Sequence, residues 1–95
     1  MSNLIKLAKE YRLPLKSTQE DMELYWDTVI RYGNRILVAE NYYMPDGKSW
    51  VGVVYEFRDD NETTCEDEII LRDISEERFE DNGHAIEWAI KNAYN

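Results

Sequence analysis

The stretch at 49–58, Ser-Trp-Val-Gly-Val-Val-Tyr-Glu-Phe-Arg, constrains the fold more than any other part of the chain. In an extended backbone Val51, Val53, Tyr55 and Phe57 share one face, and Trp50, Gly52, Val54, Glu56 and Arg58 share the other. A two-residue period of this kind specifies a strand and excludes an amphipathic helix. Neighbouring strands are legible on both sides. Residues 35–44 carry Ile36, Leu37 and Val38 followed by Tyr42 and Tyr43, and Pro45-Asp46-Gly47 then makes a turn in which proline fixes one dihedral and glycine supplies the left-handed one. After the polar turn Asp59-Asp60-Asn61-Glu62, residues 65–72 read as another strand with Ile69 and Leu71 inward.

The ends of the chain have a helical period. Leu4, Leu7, Ala8 and Tyr11 predict a helix over 3–12, with Ser2 available as a cap and Pro14 as the stop. Ala85, Ile86, Ala89, Ile90 and Ala93 form a second stripe, flanked by Trp88, with Asp81 or Asn82 to cap its start and Phe79 plugging the core ahead of it. Residues 17–32 support two readings. Ser17-Thr18-Gln19-Glu20 has the form of a capping box, which favours a helix. Thr28-Val29-Ile30-Arg31-Tyr32 is rich in β-formers, and the two-residue Gly33-Asn34 link to the next run is a hairpin signal. A helical turn near 18–24 and a strand at 25–32 is the working expectation, against one long helix ending at Gly33. The predicted fold is α+β: an antiparallel meander of three or four strands, with an N-terminal and a C-terminal helix packed on one face and the other face wet. Ninety-five residues, 43% of them hydrophobic, suit one domain spanning 1–95.

Most catalytic chemistries lack their residues. His84 is the only histidine, and it precedes a helical stripe with no second histidine or cysteine near it, which reads as a surface or capping residue. Cys65 is followed by Glu66 and Asp67, whose charge raises a thiol pKa and opposes nucleophilic use. One cysteine gives no internal disulfide, and the expected setting is a reducing cytoplasm. Asn61-Glu62-Thr63 matches a glycosylation acceptor by chance. Asp59-Asp60-Asn61-Glu62 lacks the central glycine of a helix-loop-helix calcium site. Asp46 and the Glu56-Phe57-Arg58 triplet loosely mimic a metal-nuclease pattern, but ten extended residues separate the carboxylates by roughly 30 Å. Gly33, Gly47, Gly52 and Gly83 are too scattered for a phosphate-binding loop. No cofactor, metal or catalytic set is implied, and no apolar run is long enough to span a membrane. Lys6, Lys9, Arg12 and Lys16 make the first sixteen residues mildly basic, which reads as a packed helix with a solvated face.

What stands out is charge. The net charge is −9, and eleven of the twenty acids lie in one segment: Asp59, Asp60, Glu62, Glu66, Asp67, Glu68, Asp73, Glu76, Glu77, Glu80 and Asp81. Only Arg72 and Arg78 oppose them there, so the segment alone carries the whole excess, and the other 72 residues balance nine acids against nine bases. Alternate residues of a strand lie about 6.6–6.8 Å apart on one face. Glu66 and Glu68 would therefore begin a row of carboxylates spaced comparably to a nucleic-acid backbone. Such crowding costs folding energy through self-repulsion and points to a basic partner that the charge would also steer. These eleven residues are the candidate partner-binding set. In size, charge and architecture the chain resembles the inhibitors that phages and mobile elements direct against host nucleases, including anti-restriction and anti-CRISPR proteins. No motif extends that resemblance residue by residue, and a toxin-neutralising immunity protein has the same physics. The resemblance implies a non-enzymatic nucleic-acid mimic. It would act in the cytoplasm of a host cell on a nuclease or other nucleic-acid-binding protein, without binding nucleic acid or membrane itself, as a monomer or small homo-oligomer. The alternative is a structural or regulatory subunit that binds through the aromatic sheet face, its acidity serving solubility only.

Overall fold

The computed structural model describes residues 2–17, 28–41, 45, 47–58 and 68–94. In chain order these form helix α1 (Ser2–Glu10), the two-residue strand β1 (Lys16–Ser17), β2 (Thr28–Tyr32), β3 (Arg35–Asn41), β4 (Trp50–Arg58), β5 (Glu68–Ile74) and helix α2 (Asn82–Asn92). Every strand pair is antiparallel, and the order across the sheet is β1-β5-β4-β3-β2. The α+β class and the four-strand meander match the sequence expectation, and β1 adds a short edge beside β5. The strand reading of 28–32 holds over the long helix. Residues 18–27 and 42–44, where a helical turn and the end of a strand were expected, lie outside the described residues.

The two helices occupy opposite faces, which corrects the expectation of one covered and one wet face. On the first face Ile36, Val38, Val51, Val53, Tyr55, Ile69, Leu71 and Ile74 pack with Ala8, Tyr11 and Leu13 of the N-terminal segment. On the second, Leu37, Ala39 and Val54 pack with Ala85, Ile86, Ala89 and Ala93 of α2, and Trp50, Phe79 and Trp88 rim them. Consecutive burial of Ile36 to Ala39 in β3, and of Val51 to Tyr55 in β4 (Gly52 among them), is the mark of a sheet covered on both sides.

Local chemistry sets the ends of the elements. α1 stops through a Schellman motif rather than at Pro14. Arg12 takes the left-handed conformation (φ 56°), Leu13 N–H bonds Ala8 O at 2.8 Å and Arg12 N–H bonds Lys9 O at 3.3 Å. Pro14 follows, and its carbonyl accepts the Tyr55 hydroxyl at 2.8 Å, which ties this connection to the sheet. Ser2 is the first helical residue rather than a flanking cap. Gly33 (φ 62°) opens the β2–β3 link with positive φ at the first loop position only, the pattern of a type II′ turn. In β5 a bulge at Arg72 breaks the alternation: Leu71 pairs with Tyr55, and Asp73 already pairs with Val54. Asp73 therefore turns toward the α2 face. Gly52 lets α2 approach β4 closely, since a Cβ there would sit 2.5 Å from Ala85 O and 2.7 Å from the Trp88 ring.

Candidate functional site: an acidic loop between the sheet and a helix

Of the eleven acids singled out by the sequence, the structure brings Asp73, Glu76 and Glu77 together around an open cleft of about 330 Å³, walled by Ile74 and Trp88. Glu76 also borders a shallower depression of about 230 Å³ with Lys6, Leu7 and Glu10 of α1, so it stands where the two helix-covered faces meet. Glu80 and Asp81 are exposed on the path into α2. Glu68 opens β5 opposite Arg58, at the far end of the strand from Asp73 and about 17 Å away by strand rise. Asp59, Asp60, Glu62, Glu66 and Asp67 lie outside the described residues, as do Cys65 and Asp46.

The loop that carries Glu76 and Glu77 is held at both ends. Ser75 is fully buried, its N–H bonds Gly52 O at 2.8 Å, and its Oγ accepts the Gly52 N–H at 3.0 Å. The same hydroxyl donates to Glu77 O at 2.7 Å. At the other end Phe79 and Trp50 exchange backbone bonds of 2.7 and 3.0 Å. Arg78, the one base within the loop, directs Nη1 to Lys48 O at 3.1 Å. The carboxylates thus project from a backbone that is fixed before any partner arrives.

Their environments differ. Burial raises the Asp73 carboxyl above its ordinary range, its bond from Ile74 N–H at 2.9 Å works the other way, and the nearby Glu76 charge adds to the rise. Asp81 is held below the ordinary range because Oδ1 accepts both the His84 N–H and, at 2.8 Å, the His84 ring Nδ1. It is the N-cap of α2, and His84 is the surface partner of that cap. Glu56, half of the nuclease-like pattern, is engaged at 2.9 Å by Arg35. Among the described residues no group of three or more histidine, cysteine or carboxylate side chains converges as a metal site.

The far end of α2 is anchored as firmly. Arg35 Nε donates to Ala93 O at 2.7 Å, and its guanidinium lies 4.8 Å from the Tyr94 ring centre. Tyr94 donates its hydroxyl to Tyr32 O at 3.0 Å and meets the Tyr32 ring edge-to-face at 5.7 Å. Sequence reasoning found the acids but missed Ser75 and the inward turn of Asp73. A serine between a strand and two glutamates reads as a linker, and neither its burial nor the bulge leaves a mark in the pattern.

Together these features define an antiparallel α+β domain with a helix on each face and a rigid acidic loop where the sheet passes into its second helix. The chain belongs to the nucleotide modification associated domain 4 family, which matches residues 13–93. The match takes in all of the sheet and α2 and leaves α1 outside. No curated protein and no solved structure matches the chain. No helix among the described residues is long and apolar enough to cross a membrane.

Proposed function

We propose that this domain is a non-enzymatic binding protein whose acidic surface occupies the basic, nucleic-acid-binding surface of a partner. The observation that carries the reading is the pinned loop. Asp73, Glu76 and Glu77 surround a cleft with one aromatic wall, Trp88, on a backbone stapled by Ser75 and by the Trp50–Phe79 pair. A fixed array of carboxylates loses little freedom on binding, and an arginine or lysine inserted beside Trp88 would gain both ion pairing and stacking. The family description supports a partner that handles nucleic acid or nucleotides. An anti-defence inhibitor of a phage or mobile element, acting on a nuclease, is the specific form we favour.

The test is affinity capture from the native host with a salt-gradient elution, followed by titration of the purified partner. A charge-driven complex weakens steeply as salt shortens the Debye length, about 10 Å at 0.1 M, and duplex DNA should compete with it. Reversal of Glu76 and Glu77 to Lys, and separately of Glu66, Asp67 and Glu68, should abolish binding while leaving the fold intact. Unchanged affinity in both variants would remove the proposal. A second reading, a structural or regulatory subunit bound through its aromatic surface, draws support from Tyr32 and Tyr94, which are 49% and 56% exposed. Its complex would change little with salt.

A further inference from the structure

We draw no further inference here: the strongest candidate, the open cleft between the end of β5 and α2 that Asp73, Glu76, Glu77 and Trp88 line, belongs to the acidic site already described, and nothing beside it among the described residues points to a particular ligand.

Discussion

Gly52→Ala tests the closest approach in the fold. A methyl group there would lie 2.5 Å from the carbonyl oxygen of Ala85 and 2.7 Å from the Trp88 ring, against an ordinary contact of 3.4 Å or more. The first obstacle is helix backbone, which cannot rotate away, so α2 must shift by most of an ångström or β4 must bend. Overpacking of this kind costs about 1–3 kcal/mol, and a rigid neighbour puts Gly52 near the top of that range. Alanine returns roughly 0.4–1 kcal/mol by restricting the unfolded chain. The net loss is about 2 kcal/mol, and a domain of this size then melts ~8–16 °C lower. Urea unfolding followed by tryptophan fluorescence measures it, with an unchanged m-value confirming that stability alone has moved. Gly83→Ala is the control: it sits in the first turn of α2, its nearest neighbour at 3.3 Å is a side-chain oxygen of exposed Asp81 rather than backbone, and helix propensity favours alanine. If Gly52→Ala stays within about 0.5 kcal/mol of the native protein, α2 does not rest on β4 at this point.

Other outcomes follow from single features. Arg12→Gly should stabilise by about 0.5–1 kcal/mol, since a left-handed non-glycine residue costs ~1–2 kcal/mol and glycine's extra unfolded freedom returns part of it; a lower denaturation midpoint would contradict the Schellman assignment. The Asp73 carboxyl is raised in the native state, so its favourable contribution is full below the ordinary aspartate range and disappears as pH rises through the native value. Asp73→Asn, which keeps an oxygen for Ile74 N–H, should therefore raise the neutral-pH Tm and converge with the native protein in acid. A difference that ignores pH would show that the charge is not the cause. Raising NaCl to about 1 M, where the Debye length is ~3 Å, should raise the Tm of the free protein by relieving repulsion among the acids; an indifferent melting curve would mean they are already paired.

The sequence made the sheet legible because β4 writes its two faces in strict alternation, and both halves of that alternation reappear as the two core clusters. Gly33-Asn34 located the first hairpin for a reason that is purely conformational. The error over the helices came from treating both as covers for one face. The continuous apolar run Ile36 to Ala39 was the signal for a sheet buried on both sides, and it was read only as a strand. The site was half legible. A charge count finds the acids, but it cannot see that β5 holds Glu68 apart from Asp73, nor that one extra residue at Arg72 rotates Asp73 toward Trp88. Contacts between segments distant in the chain, such as Arg35 on the carbonyl of Ala93 just past α2, follow from the assembled fold alone.

The double anchorage of α2 makes that helix a ruler. Its eleven residues measure about 16 Å, from the Asp81 cap beside the acidic loop to the tyrosine knot at the β2–β3 hairpin. Inserting or deleting one residue would change the span by only ~1.5 Å but rotate one end by about 100° relative to the other, so Asp81 and Tyr94 could not both keep their seats. The residue count of this helix is therefore fixed by its two anchors.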